Sequence, residues 1–138
     1  MNTKIKIKSI VVTRAEGPID LCGTWEVKTL QEANEILAAS SLTVGPIGYD
    51  KHDVTIEWED GYKWESRIDV EGIENDGAER IGEHVRSFIR FRHGLVEDSE
   101  LPKHWTPQEY RRMVLERTSA ADISMARTFL ERYDLSDF

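Results

Sequence analysis

Apolar and polar side chains alternate with period two between Val54 and Val70, which predicts a β-hairpin. The apolar positions lie on both sides of Glu59-Asp60-Gly61 and are Val54, Ile56, Trp58, Tyr62, Trp64 and Ile68. A two-residue Asp60-Gly61 turn would mix the apolar and charged faces of the two strands. A three-residue loop with Gly61 in the left-handed position of a bulge keeps the faces apart, so we expect that loop.

The three-residue loop also fixes the register of the hairpin. Its predicted pairs are Trp58 with Tyr62 and Ile56 with Trp64 on the apolar face, and Glu57 with Lys63 and Asp53 with Arg67 on the charged face. Both charged pairs join opposite charges, which stabilises an antiparallel ladder. The hairpin pattern therefore indicates fold and gives no catalytic site.

The chain before the hairpin reads as two strands and a helix. Residues 4–8 alternate lysine with isoleucine, and the continuous apolar run of residues 10–12 that follows is explained by a bulge or by burial on both sides. Leu21, Trp25 and Val27 mark a second strand. Thr29 and Glu32 form a capping-box pattern that begins a helix with an apolar stripe.

Helical periodicity dominates after the hairpin. Ala78, Ile81, Val85, Phe88 and Ile89 share one face of a helix that ends at Gly94. Two more helices are predicted to begin at cap patterns, Thr106-Pro107-Gln108-Glu109 and Ser119 with Asp122. We expect one α+β domain over residues 1–138. It has a small antiparallel sheet, made of two strand pairs around one helix, packed against three C-terminal helices.

Composition narrows the classes of function. The 138 residues carry a net charge of −8, which argues against indiscriminate binding to duplex DNA. The single cysteine, Cys22, allows no internal disulfide, and no close histidine pair suggests a metal site. We predict no catalytic, metal or cofactor-binding residues.

The first residues lack the continuous apolar core of a signal peptide, and no segment approaches a membrane span, so we expect a cytoplasmic protein. The four tryptophans are expected in an aromatic core.

The helix after the hairpin carries the most suggestive polar pattern. Arg86, Arg90 and His93 recur at helical spacing with Arg92 adjacent, and Glu83 lies near the start. The four basic residues are the candidate partner-binding site, as an anion-recognising stripe. The competing interpretation is structural, because basic residues at a helix C-terminus complement its dipole.

Residues 55–115 resemble the large polyvalent protein-associated domains of phages and conjugative elements. The resemblance rests on Glu59-Asp60-Gly61-Tyr62, Ser66-Arg67-Ile68-Asp69, His84-Val85-Arg86-Ser87-Phe88, Phe91-x-x-Gly94, and the Thr106-Pro107-x-Glu109-Tyr110 helix start. It implies a mobile-element context and an accessory role in a new host, and it supplies no catalytic residues.

The first hypothesis is a non-catalytic accessory protein of a phage, prophage or plasmid that binds a host or element protein, such as a defence component. The second is binding of single-stranded DNA or RNA through Lys4, Lys6 and Lys8, or through Arg86, Arg90 and Arg92. The third is an enzyme of unknown reaction. The sequence leaves the partner and the oligomeric state open.

Overall fold

The computed structural model describes residues 3–136 and has the expected α+β architecture, with one antiparallel sheet and four α-helices. The strands are β1 (Ile7–Arg14), β2 (Gly23–Val27), β3 (Tyr49–Trp58) and β4 (Lys63–Glu71). The helices are α1 (Leu30–Ser41), α2 (Ile81–Arg92), α3 (Pro107–Arg117) and α4 (Ala120–Arg132). The spatial strand order is β2-β1-β3-β4, so pairing of β1 with β3 joins the two predicted strand pairs into one sheet.

The hairpin register is the predicted one. Ile56 pairs with Trp64 and Glu57 with Lys63, and the Asp53–Arg67 pair closes an ion pair of 2.9 Å. Gly61 has a φ of 91°, the left-handed conformation that the three-residue loop requires. The local pattern of charges and apolar residues was therefore sufficient to define this element.

One face of the sheet forms the floor of the core. A register shift between Ile7 and Ser9 in β1 is the bulge that accounts for the switch from alternation to a continuous apolar run. After it, alternate side chains of β1, β3 and β4 are fully buried beneath the helices: Ile10, Val12, Val54, Ile56, Trp58, Ile68 and Val70. The side chains between them include the charged face of the hairpin, which is turned away from the helices.

Three of the helices begin at side-chain caps from neighbouring residues, and α2 begins differently. Thr29, Thr106 and Ser119 each accept a hydrogen bond from the backbone N–H three residues later, as predicted. Helix α2 has no side-chain cap of its own, and the Oδ1 of Asn34 in α1 accepts a hydrogen bond from the N–H of Ile81 at 2.9 Å. The first turn of α2 is thus satisfied by a residue 47 positions earlier in the chain.

Some aromatic side chains are less buried than the pattern predicts. Phe88 was expected on the apolar face of α2, and it is 43% exposed, at the edge of the helix. Trp58 is fully buried, Trp64 and Trp105 are half-buried, and Trp25 on the edge strand β2 is 36% exposed. Leu21 lies in a short 3-10 turn, Ile19–Leu21, ahead of β2.

The segment after α4 returns to the sheet. Tyr133 forms a parallel bridge with Ile5, and Leu135 is buried in the core. The indole N–H of Trp58 donates to the Asp134 carbonyl at 3.0 Å. These contacts hold the end of α4 beside the hairpin.

None of the helices within residues 3–136 combines the length and apolar character needed to cross a bilayer.

Candidate functional site

Two of the predicted partner-binding arginines, the exposed Arg86 and the partly exposed Arg90, make contacts within the molecule. The guanidinium of Arg86 donates to the Leu135 carbonyl at 3.2 Å. Arg90 forms an ion pair with Glu100 at 2.8 Å and also donates to the Leu95 carbonyl at 3.4 Å. These contacts tie α2 to the C-terminal segment and to the connection before α3, which favours the structural interpretation of both residues.

The other two predicted residues lie at the surface end of α2. Arg92 is exposed, with its guanidinium carbon 5.7 Å from the centre of the Phe88 ring. The Nδ1–H of His93 donates to the Ile89 carbonyl at 2.8 Å, which leaves the Nε2 edge of the ring for other contacts. The four residues therefore do not form one continuous stripe with equivalent accessibility. Their role in partner binding stays a prediction.

Lys4, Lys6 and Lys8, the proposed nucleic-acid-binding lysines, lie in different surroundings. Lys8 forms a long ion pair with Glu57, at 3.8 Å, and Lys4 donates to the Leu130 carbonyl at 3.5 Å. Lys6 is exposed. Because one lysine faces a carboxylate and another a helix end, the row does not present three equivalent cations to a phosphate backbone.

An open groove lies between the hairpin, α2 and α4. Its volume is about 460 Å³. The side chains that line it include Tyr62 and Trp64 from the hairpin, Ile89 and His93 from α2 and its C-cap, and Met125 and Phe129 from α4. We call this feature the α2–α4 groove. Most of its lining area is apolar, as in ligand-binding clefts generally, and its polar or charged side chains are His93, Asp122, Ser124, Thr128 and Arg132, besides two tyrosines.

Aromatic packing makes the floor of the α2–α4 groove rigid. The ring of Phe129 lies 5.4 Å from Trp58, 5.7 Å from Tyr62 and 4.8 Å from Tyr133, measured between ring centres. Trp64 extends the cluster to the exposed ring of Phe88 at 6.2 Å. Rings at these separations attract one another in tilted and edge-to-face arrangements, so the groove is held open by its own core.

Exposed apolar groups surround this rigid floor. Met125 is 70% exposed and Tyr62 is 44% exposed, although both line the groove. The indole N–H of Trp64 is buried, and within residues 3–136 it has no hydrogen-bond partner. A buried donor without an acceptor costs free energy. The groove thus combines accessible apolar surface with an unused polar group.

The closest approach to a catalytic arrangement is fully enclosed. His52 and Ser40 share a hydrogen bond of 3.0 Å, and His52 has no solvent exposure. Burial lowers the pKa of His52, and the nearby Arg14 guanidinium acts in the same direction. Its Nδ1 has no hydrogen-bond partner within the described chain, so no carboxylate orients the ring. Neither residue lines the α2–α4 groove.

A polar cleft near the end of β4 contains several carboxylates. Its lining includes Arg67, Asp69, Glu71, Glu79 and His84, and His84 donates to Glu79 at 2.8 Å. Within residues 3–136, no three His, Cys, Asp or Glu side chains are grouped so that they could hold a metal ion. The cleft adds negative charge to that end of the sheet.

Comparisons of the chain with protein-family models, with curated proteins and with solved structures give no match. The candidate site therefore rests on the geometry of this molecule. Sequence reasoning named His93 and missed the rest of the α2–α4 groove, whose lining comes from three separate stretches of the chain, residues 62–64, 89–93 and 122–133.

Proposed function

We propose that this chain is a non-catalytic interaction protein, and that it binds an apolar segment of a protein partner in the α2–α4 groove. The observation that supports this most is the packed aromatic floor, in which Tyr62 is partly exposed, together with the exposed Met125 that also lines the groove. The resemblance of residues 55–115 adds the setting of a phage, prophage or plasmid, in which the partner is a host or element protein such as a defence component.

The shape of the groove favours a polypeptide over a small molecule. Two helices form its walls and a hairpin forms its floor, which is the geometry in which a partner helix lays an apolar face. The groove is open, and the apolar surface continues onto Phe88 at its edge. Met125 suits such an occupant because its unbranched side chain adapts to the shape of a partner.

Polar groups at the groove provide orientation. The Nε2 edge of His93 and the exposed guanidinium of Arg92 lie at the C-terminal end of α2. An acidic residue flanking the apolar segment would meet both. The predicted role of His93 and Arg92 is thereby retained, while Arg86 and Arg90 support the fold.

The nucleic-acid alternative receives less support. Lys8 and Arg90 are in ion pairs with Glu57 and Glu100, and the chain carries a net charge of −8. Each such pair would have to be broken before the cation could neutralise a phosphate. A protein-binding groove needs no such rearrangement.

The proposal is tested with two matched variants in a capture experiment. Met125→Glu places a charge on the groove, while Leu115→Glu places the same charge on an equally exposed position of α3, outside it. Immobilised wild-type protein and both variants are incubated with lysates of several bacterial hosts, and the bound proteins are identified by mass spectrometry. We expect a partner that binds the wild type and Leu115→Glu and is lost with Met125→Glu.

Loss of the partner with both variants, or with neither, would contradict the groove as the binding site. Recovery of only background proteins by the wild type across all hosts would contradict the interaction function itself. Both substituted side chains are largely exposed, so the variants are expected to fold like the wild type, which circular dichroism checks.

A further inference from the structure

A second apolar surface lies away from the α2–α4 groove, at one end of the sheet. It consists of three large side chains that are each at least 60% exposed: Ile47, Tyr49 and Ile73. Tyr49 is the first residue of β3, and Ile47 and Ile73 lie in the segments before β3 and after β4, at the same end of the sheet. We call these residues the sheet-end surface. Exposed apolar side chains grouped in this way, beside polar residues, mark interaction sites.

Backbone contacts hold the centre of the sheet-end surface in one arrangement. The N–H of Gly72 donates to the Gly48 carbonyl at 2.9 Å, and the N–H of Glu74 donates to the Pro46 carbonyl at 3.0 Å. These bonds extend the β3–β4 register beyond the strands and bring Ile47 and Ile73 opposite each other.

A buried ion pair supports the same end of the sheet from below. Arg14, only 2% exposed, forms an ion pair with Asp50 and donates to the Thr43 hydroxyl at 2.7 Å. The hydroxyl of Ser41 donates to the Glu71 carbonyl at 2.5 Å, which joins the end of α1 to the end of β4. A surface already ordered in the unbound protein loses less conformational entropy when a partner docks.

Most of the charges around this surface are negative, and Lys51, two residues along β3 from Tyr49, is opposite Asp69. Segments 15–22, 42–50 and 71–77 contain six acidic residues and no lysine or arginine. Asp50 is neutralised by Arg14, and the remaining carboxylates are Glu16, Asp20, Glu71, Glu74 and Asp76. The nearby Arg67 is already paired with Asp53 at 2.9 Å. The apolar centre therefore has an acidic rim.

We propose that the sheet-end surface is a second docking site, and that its partner is a protein surface with an apolar centre flanked by lysine or arginine. Complementary charge steers such a partner and fixes its orientation. A second copy of this chain would bring carboxylates against carboxylates, and nucleic acid would bring phosphates against them, so charge disfavours both. The inference does not depend on the α2–α4 groove, because no residue is shared between the two surfaces.

The test uses a displayed random-peptide library panned against the full-length protein at moderate ionic strength. Clones that also bind the variant Ile47→Ser/Tyr49→Ser/Ile73→Ser are removed. We expect the retained peptides to combine aromatic or aliphatic residues with lysine or arginine. Their affinity should fall by about tenfold or more on the charge-reversal variant Glu74→Lys/Asp76→Lys, and it should weaken as salt rises.

Met125→Glu is the matched control, and it should bind the retained peptides like the wild type. Retained peptides that are neutral or acidic, or a library that yields none, would overturn the proposal. So would a dimer of the wild type, seen by analytical ultracentrifugation, that the sheet-end variant abolishes. Because the library needs no cellular partner, these outcomes are separate from success or failure of the groove experiment.

Discussion

Asp60 stabilises both the hairpin turn and the contact of the turn with the C-terminal segment. Its carboxylate accepts the N–H of Tyr62 within the turn and the hydroxyl of Tyr133 from the end of the chain, at 2.6 Å. The hydrogen bond from Tyr133 is the main reason that the pKa of Asp60 lies below its usual value, with the Tyr62 N–H second. The turn position was predictable from the Asp60-Gly61 sequence, and the contact with a residue 73 positions away was not.

Removal of that hydroxyl should be visible at Asp60. In Tyr133→Phe the carboxylate loses the hydrogen bond that stabilises its charged form most, so the pKa of Asp60 should rise toward its ordinary value. Titration of the side-chain carboxyl by NMR measures the shift. Tyr110→Phe, which removes a hydroxyl bonded to the Arg90 carbonyl, is the control and should leave Asp60 unchanged. An identical Asp60 titration in Tyr133→Phe and the wild type would refute the assignment.

Burial of His52 makes a prediction about pH. Its pKa is lowered in the folded state, so the unfolded chain binds the proton more readily. The free energy of unfolding should therefore fall as pH drops below about 6.5, the ordinary histidine value, with a slope of at most about 1.4 kcal/mol per pH unit for one proton.

Denaturant unfolding at pH values between 7 and 5 measures this slope. Few carboxylates change their protonation state over this range of about two pH units. His52→Gln should flatten it, since no imidazole remains to be protonated. His104→Gln, at an exposed position, is the control and should keep the slope of the wild type. Equal slopes in the wild type and His52→Gln would contradict the effect of burial.

Gly72 and Gly61 are each required for a different reason: at Gly72 there is no space for a side chain, and at Gly61 the backbone is left-handed. A Cβ on Gly72 would lie 1.8 Å from the Gly45 carbonyl oxygen, while one on Gly61 would meet no atom within 4 Å. Gly72→Ala should therefore displace the 45–48 segment and destabilise the fold by about 1–3 kcal/mol, as overpacking does. Gly61→Ala should cost about 1–2 kcal/mol, from its left-handed φ alone.

Amide chemical shifts distinguish the two effects at the sheet-end surface. They should change around Ile47 and Tyr49 in Gly72→Ala and stay near the turn in Gly61→Ala. Unchanged shifts around Ile47 in a destabilised Gly72→Ala variant would show that the close approach is not the cause.

Among the helices and strands, the sequence predicted those features that depend on neighbouring residues. The hairpin register followed from side-chain alternation and charge pairing, and the starts of α1, α3 and α4 followed from cap residues. The start of α2 depends on Asn34 of α1, and Arg86 donates to a carbonyl 49 residues later. Such distant contacts leave no mark in a sequence window. The partner of Arg90, Glu100, is only ten residues away, and the pairing depends on how the connection after α2 folds back.

The cap from α1 to α2 can be measured directly. Asn34→Ala leaves the N–H of Ile81 without its acceptor, and we expect a loss of about 1–2 kcal/mol in the free energy of unfolding, similar to loss of a helix N-cap. Glu35→Ala changes the adjacent exposed position of α1 and should be close to neutral. Equal stability of the two variants, measured by urea denaturation, would show that Asn34 does not cap α2.

At the scale of the molecule, apolar periodicity predicted a core but not its edges. Phe88 has helical spacing with Ile81 and Val85, yet it is 43% exposed. The groove beside it depends on how α4 and the C-terminal segment pack on the hairpin, through rings such as Phe129 and Tyr133. Such long-range packing is not specified by any single stretch of sequence.

Binding of a protein partner in the α2–α4 groove can be tested in cells. Met125 is replaced with a photo-crosslinking amino acid in a bacterial host, and any adduct is identified by mass spectrometry. We expect one discrete adduct with a partner protein, and none when the same amino acid replaces Leu115 on α3. Absence of an adduct at Met125, or the same adducts from both positions, would contradict it.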